Sequence, residues 1–232
     1  MPRAAMISTR NLKRLPDVDR LRRVLQSMAM LDAILCRAWQ FRFYSFNSRW
    51  AEGKQMGSMR NGQGDDFFAL FNAHGCFLKG FAHEAPMSPY RDDGSKRLWP
   101  GLIESVPGEF ADCLREPAFG IEDTTFCIWR RYGGSSWQRG EIAFPPGPDP
   151  DGSQYLLSPL DGKPETYRAW AEWYFNKPFL AVGMVRHIYE YRPLTNALVA
   201  ALTPDIVLED EENPHLEVAD LEDDITEIGY PV

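Results

Sequence analysis

Residues 67–81, FFALFNAHGCFLKGF, restrict the fold more than any other stretch of the chain. Two apolar, aromatic-rich runs flank a short segment that contains glycine, which predicts a β-hairpin. A three-residue turn at 73–75, with Gly75 supplying a positive φ, would pair Phe71 with Phe77. Both faces of this hairpin are then largely apolar, so we expect it inside a sheet that a helix covers on at least one side.

The segments around the hairpin predict helices at both ends of the chain. Apolar residues recur every three or four positions over 17–38, and Asp17 supplies a helix start. Residues 41–46, FRFYSF, predict the first strand, and the glycine-rich residues 53–64 predict a loop. Further elements are predicted as a helix at 105–115, a hairpin over 124–144, a Pro/Gly-rich loop at 145–152, and helices at 167–175, at 181–191 and after Pro193.

Together these elements predict an α+β fold. Its antiparallel sheet is built from at least two hairpins, and an N-terminal helix and a C-terminal helical segment pack against it. We expect a single domain over residues 1–204, with 1–16 as a candidate disordered segment, and an acidic tail over 205–232.

Composition excludes several classes of protein. The chain has 232 residues, 44% of them hydrophobic and 13% aromatic, which excludes a disordered chain. Its four cysteines show no CxxC spacing, so we expect reduced thiols in a cytoplasmic protein and no zinc site. The longest apolar run, residues 179–185, is far shorter than the roughly 20 residues that span a bilayer, so no membrane partner is expected.

Charge divides the chain unevenly. Residues 205–232 hold eleven acidic residues and no Lys or Arg, so the other 204 residues carry 22 acids against all 25 bases. Apolar residues interrupt the acidic tail, which suits either contact with a partner or docking on the protein's own body. A tail that binds would favour a basic protein. Its candidate partner-binding residues are Glu209, Asp210, Glu211, Glu212, Asp220, Glu222, Asp223 and Asp224.

A candidate catalytic site lies at the base of the first hairpin. The predicted pairing sets His83 opposite Asp65, with Asp66 and Glu84 adjacent. A histidine beside carboxylates can act as a general base or hold a divalent cation. Cys76 lies seven residues before His83, or roughly 24 Å along a strand, so the turn and the base cannot share one metal ion.

Two further motifs have simpler structural interpretations. The stretch GKQMGSMRNGQG could hold phosphate with Lys54 and Arg60, but it lacks the phosphate-loop spacing. The stretch RAWQFRFYSFNSRW alternates arginines with aromatics, as single-stranded nucleic acid platforms do. The near-neutral body and the acidic tail argue against nucleic acid, and a strand this aromatic is more often buried. No sequence motif indicates a cofactor.

Three functional hypotheses follow. The leading one is a non-enzymatic protein-binding module that contacts a basic partner through its acidic surface and tail, of which an immunity-type role is one form. The alternative is a hydrolase or metal-dependent enzyme that uses His83, Asp65, Asp66 and Glu84. The third is a structural subunit, which would require an exposed, self-associating aromatic surface around Trp137 and Trp173.

Overall fold

The structure is a computed structural model that describes residues 6–91, 96–176, 180–202 and 220–232. The strands are β1 (Tyr44–Ala51), β2 (Lys54–Arg60), β3 (Asp66–Asn72), β4 (Gly75–Phe81), β5 (Phe126–Arg131) and β6 (Gln138–Arg139). The α-helices are α1 (Val18–Leu35), α2 (Ser153–Leu157), α3 (Pro164–Tyr174), α4 (Val182–Tyr189), α5 (Asn196–Leu202) and α6 (Leu221–Ile228). Among the described residues, no helix is both long enough and apolar enough to cross a membrane.

The sheet is an antiparallel meander in which each strand pairs with the next along the chain, in the order β1-β2-β3-β4-β5-β6. The predicted α+β fold is confirmed, with helices at both ends of the chain. Strands β3 and β4 lie in the middle and are buried on both faces. The apolar character of both faces of the hairpin therefore reflects its central position.

The predicted register of the β3–β4 hairpin is wrong by one residue. Asn72 pairs with Gly75, so the turn has two residues, and Phe71 faces Cys76 instead of Phe77. The Asn72 side-chain oxygen closes this turn by accepting from the backbone N–H groups of His74 and Gly75 at 2.8 and 3.2 Å. The neighbouring strand β5 also excludes a side chain at position 75, because a Cβ on Gly75 would lie 2.1 Å from the carbonyl oxygen of Arg130.

The glycine-rich loop predicted at 53–64 is also wrong, because most of it forms β2. Gly57 lies where α1 crosses the sheet, and a Cβ on it would lie 2.8 Å from Cδ1 of Leu25. The glycine therefore permits close contact between helix and sheet. Lys54 and Arg60 stand at opposite ends of the strand, which removes the phosphate loop considered from the sequence.

Helix α1 lies between the sheet and the C-terminal helices. Asp17 caps it, accepting from the backbone N–H of Arg20 at 2.9 Å, as the sequence predicted. Its residues from Val24 to Leu35 are all buried, because the sheet covers one side and α4, α5 and α6 cover others. The apolar periodicity indicated one buried side; the remaining burial depends on the helices that come later in the chain.

Other segments close the two sides of the sheet. The face away from α1 is covered by 3₁₀ helices at Gly108–Arg115 and Pro117–Phe119, close to the helix predicted at 105–115, and the Phe119 ring stacks on that of Phe77 at 5.9 Å. Near the N-terminus, Ile7 and Leu15 are buried. Thr9 donates its backbone N–H to the Ser153 hydroxyl at 3.0 Å, which ties this segment to α2 just after the 145–152 loop.

Candidate functional site

The described part of the acidic tail forms a short helix that is fixed to the body. Asp220 caps α6, accepting from the backbone N–H of Glu222 at 2.9 Å. Ile228, the last residue of this helix, and Tyr230, just beyond it, are buried, and the Gln26 side-chain amide of α1 donates to the carbonyl oxygen of Ile228 at 2.9 Å. The tail residues Glu209, Asp210, Glu211 and Glu212 lie outside the described residues.

Asp224 has a structural role within this tail. Its two carboxylate oxygens accept from the Arg42 guanidinium at 2.6 and 2.9 Å. Both side chains are largely buried: 13% of the surface of Asp224 and 9% of that of Arg42 is exposed. Arg42 also donates to the carbonyl oxygen of Cys36 at 2.7 Å. A two-point ion pair of this kind fixes the orientation of α6 against the segment that enters β1.

A cleft of about 400 Å³ separates α6 from the start of β1. Among the described residues, four carboxylates line it, and the one cation in its lining, Arg42, is already paired with Asp224. Its acidic lining residues are Asp220, Asp223, Asp224 and Glu227. The cleft therefore has an excess of negative charge, which favours a cationic occupant.

Aromatic side chains adjoin the acidic cleft. Trp39 lines the cleft and is 57% exposed, and Phe41, in the same short 3₁₀ helix, is 44% exposed. The Tyr174 hydroxyl donates to the carbonyl oxygen of Phe41 at 2.9 Å, which brings the end of α3 beside them. Trp173, with its ring 6.4 Å from that of Tyr174, is 75% exposed.

We call this region the acidic–aromatic surface and define it by Trp39, Phe41, Trp173, Asp220, Asp223 and Glu227. An exposed indole beside carboxylates can hold a guanidinium or ammonium group, because the ring face and the carboxylates both attract positive charge. The sequence placed Phe41 in the predicted first strand, and the aromatic stretch that contains both Trp39 and Phe41 was expected to be buried. The structural-subunit hypothesis required Trp137 and Trp173 to be exposed together. Trp173 is exposed, but Trp137 is buried and donates its indole N–H to the carbonyl oxygen of Pro16 at 2.6 Å.

The candidate catalytic residues separate into two groups. His83 meets Asp65, whose Oδ1 lies 2.7 Å from Nδ1 of the ring and accepts the backbone N–H of His83 at 2.9 Å. This hydrogen bond raises the pKa of His83, while Nε2 lies 3.8 Å from the exposed carboxylate of Glu84. The arrangement orients an imidazole as a general base does, with Nε2 turned away from its orienting carboxylate.

Asp66 faces the opposite side of the sheet and pairs with a buried lysine. Lys79 is 1% exposed and places its ammonium 3.0 Å from Oδ1 of Asp66, between the rings of Phe68 and Phe81, each 5.6 Å away. Burial lowers the pKa of Lys79 and raises that of Asp66. Asp66 is therefore occupied by an ion pair and does not join the group around His83.

The remaining reactive side chains do not converge with these groups. His74 precedes β4 and His83 follows it, so they lie at opposite ends of that strand. Cys76 is buried, and burial raises its pKa well above the ordinary value. Within the described ranges, no group of three or more His, Cys, Asp and Glu side chains could hold a metal ion.

Comparisons of the chain with models of protein families, with curated proteins and with solved structures gave no match. Function is therefore inferred from the geometry of the acidic–aromatic surface and of the Asp65–His83 pair.

Proposed function

We propose that the protein is a non-enzymatic binding module whose acidic–aromatic surface receives a basic segment of another protein. One observation supports it above the others: in the part of the chain that the structure describes, the cleft between α6 and β1 has four carboxylates, one paired cation and an exposed tryptophan at its edge. An arginine or lysine side chain of the partner would meet Asp220 and Asp223 in the cleft and the indole face of Trp39 beside it.

The charge of the cleft supports a protein partner over nucleic acid. Carboxylates repel a phosphate backbone, whose binding instead needs clustered cations. An immunity-type role, with a basic toxin as the partner, is one form of this proposal. It requires the same acidic–aromatic surface to receive a basic segment. We also propose a cytoplasmic location, which is supported by the free thiols of Cys36, Cys76, Cys113 and Cys127, as expected under reducing conditions.

A hydrolase is the second candidate. The short contact between Asp65 and the His83 ring supports it, since this contact orients the imidazole. It ranks below the binding module because Asp66 is paired with Lys79 on the other face, which leaves the exposed Glu84 as the second carboxylate near the ring.

The binding proposal can be tested with a short arginine-rich peptide as probe and calorimetry on the full-length protein. Trp39→Ala should weaken peptide binding by about tenfold, because it removes a cation–π contact together with buried area. Asp223→Asn should weaken it by about threefold, as expected for one exposed ion pair. Added salt should reduce binding to the wild type, since salt screens exposed charges.

The matched control is Glu84→Gln, which removes one exposed carboxylate just after β4, three strands away from β1 in the sheet, and should leave binding unchanged. Melting curves of all three variants should show that each remains folded. Saturable binding of equal strength to the wild type and to a Trp39→Ala/Asp223→Asn double variant would refute the proposal, as would failure of the wild type to bind the peptide.

A further inference from the structure

A second cleft borders α6 on the side that faces α5. It encloses about 700 Å³ between these two helices, both of which contact α1. We call it the α5–α6 groove and define it by Leu194, Val199, Ala200, Leu221 and Ile225. Its size falls within the roughly 300–1,000 Å³ of typical ligand sites, so it has room for more than one side chain of a partner.

The groove presents apolar surface to solvent. Val199, Leu221 and Ile225 are packed against the hydrophobic core but are only partly buried by it. Ala200 is exposed. These side chains therefore keep apolar surface that a partner would cover, and removing such surface from water favours binding.

The helical spacing of α6 separates the groove from the acidic cleft. Asp223 and Glu227, one helical turn apart, line the acidic cleft. Leu221 and Ile225, also one turn apart, line the groove. Asp220, which caps the helix, lines both. The acidic cleft and the groove therefore adjoin each other at the start of α6.

The charge of the groove indicates which kind of occupant it suits. Its lining includes the exposed carboxylates of Asp220 and Glu222, against one basic residue, Arg37, among the described lining residues. These carboxylates would repel a fatty acid or an anionic lipid, and a second copy of the chain would bring a net charge of −8. A partner that supplies both cations and aliphatic side chains complements the carboxylates and the apolar lining together.

We propose that the partner of the acidic–aromatic surface is an amphipathic segment whose basic side chains enter the acidic cleft and whose aliphatic side chains pack into the α5–α6 groove. The segment crosses the start of α6 beside Asp220, where the two clefts adjoin. Apolar anchors in a groove supply affinity and select among basic segments, as in other complexes that bind amphipathic segments. This inference rests on the function proposed above and adds the apolar half of the partner.

The test compares three peptides of equal length by calorimetry on the full-length protein. The first contains arginine and serine, the second arginine and leucine, and the third leucine and serine. The arginine–leucine peptide should bind about tenfold more tightly than the arginine–serine peptide, as expected when an aliphatic side chain becomes buried. The leucine–serine peptide should bind more weakly than the arginine–leucine peptide, because it offers no cation to the carboxylates.

Two neighbouring alanines of α5 provide matched variants. Ala200→Gln places a larger polar side chain in the groove and should reduce the affinity for the arginine–leucine peptide to that for the arginine–serine peptide. Ala201→Gln makes the same change at a position outside the described lining, so it should alter both affinities by less than about twofold. Both alanines are exposed, and melting curves should show that both variants remain folded.

The outcomes distinguish this inference from the function on which it rests. Equal binding of the two arginine peptides, or equal losses in Ala200→Gln and Ala201→Gln, would overturn the inference and leave the proposed function intact. Failure of both arginine peptides to bind would overturn the proposed function and the inference with it. Equally tight binding of the leucine–serine and arginine–leucine peptides would assign the groove to a purely apolar ligand, and self-association lost in Ala200→Gln would assign it to a second copy; either result would overturn the inference.

Discussion

At the scale of residues, three buried polar side chains of α1 connect the helix to separate parts of the chain. Gln26 donates to the carbonyl oxygen of Ile228 at 2.9 Å, and the Ser27 hydroxyl donates to that of Ile188 at 3.0 Å. Asp32 accepts from the backbone N–H groups of residues 43 and 44, each at 2.9 Å, and from the Tyr167 hydroxyl at 2.7 Å. Such bonds specify which segments pack against the helix, because a buried polar group left without its partner is costly.

The stability of the protein should depend on pH through Asp32. Burial raises its pKa from 3.8 to about 7, an effect larger than the opposing one of its hydrogen bonds. The folded state therefore holds this proton at pH values where the unfolded chain has lost it, and the stabilisation, full below about pH 4, is lost as the pH rises to about 7. Urea unfolding over this range should show it as a falling free energy of unfolding.

The variant Asp32→Asn should flatten this dependence, because its amide does not titrate. Asp19→Asn, on the exposed side of the same helix, should keep the wild-type slope between pH 4 and 7. An unchanged slope in Asp32→Asn would show that other groups produce the dependence.

At the scale of elements, the contact between α1 and β2 depends on the absence of a side chain at one position. Gly57 faces Leu25 of the helix and Phe46 of the neighbouring strand, whose atoms lie 2.8 and 3.2 Å from where a Cβ would be placed. These neighbours are themselves buried, so they have little room to move. Helix and sheet therefore approach each other as closely as glycine allows.

The variant Gly57→Ala should lower the free energy of unfolding by about 1–3 kcal/mol, since it overpacks this contact. The measurement is urea unfolding monitored by circular dichroism. Gly183→Ala is the matched control: apart from its chain neighbours and the backbone of α4 itself, no described atom lies within 4 Å of the position that an added methyl group would take, so alanine should stabilise the protein by about 0.5–1 kcal/mol. Equal effects of the two substitutions would contradict the packing explanation.

At the scale of the whole molecule, the end of the chain closes the structure. Tyr230 is buried and donates to the carbonyl oxygen of Ile188 at 3.0 Å, while the backbone N–H of Leu194 donates to that of Pro231 at 2.9 Å. Residues 220–232 thus contact α1, β1 and the segment between α4 and α5. A deletion of the acidic tail would remove core residues together with its charges.

Deleting residues 220–232 should therefore lower the melting temperature sharply. Each of the two buried side chains, Ile228 and Tyr230, contributes about 1.5–3 kcal/mol by its burial alone. Asp223→Asn, at a position in the acidic cleft, should leave the melting temperature close to that of the wild type. A truncated protein as stable as the full chain would show that this segment does not support the fold.

Local sequence patterns were sufficient for the elements that depend on neighbouring residues. Helix α1 was predicted to within a few residues from its apolar periodicity and its cap at Asp17. Strands β3 and β4 were predicted equally closely from the two apolar runs of the central hairpin. The register was missed because Asn72, through its side chain, closes a shorter turn than Gly75 suggested. Strand β2 was missed because Gly57 serves a contact with a helix more than thirty positions away in the sequence.

The acidic cleft shows what local patterns could not supply. The acidic tail and the aromatic segment at 39–46 were both visible as sequences, but only packing of α6 beside β1 brings Asp223 near Trp39. Likewise, sequence placed Asp65 and Asp66 together with His83, whereas the alternation of a strand sends adjacent side chains to opposite faces.

The sequence by itself determined the α+β class, the central hairpin and the contrast between an acidic end and a near-neutral body, because these follow from hydrophobic periodicity and charge within short windows. Tertiary structure alone decided which charges are held in ion pairs, as in Arg42–Asp224, and which remain to line a cleft. The reason is that a charge is neutralised or left available according to its neighbours in space, and those neighbours come from distant parts of the chain.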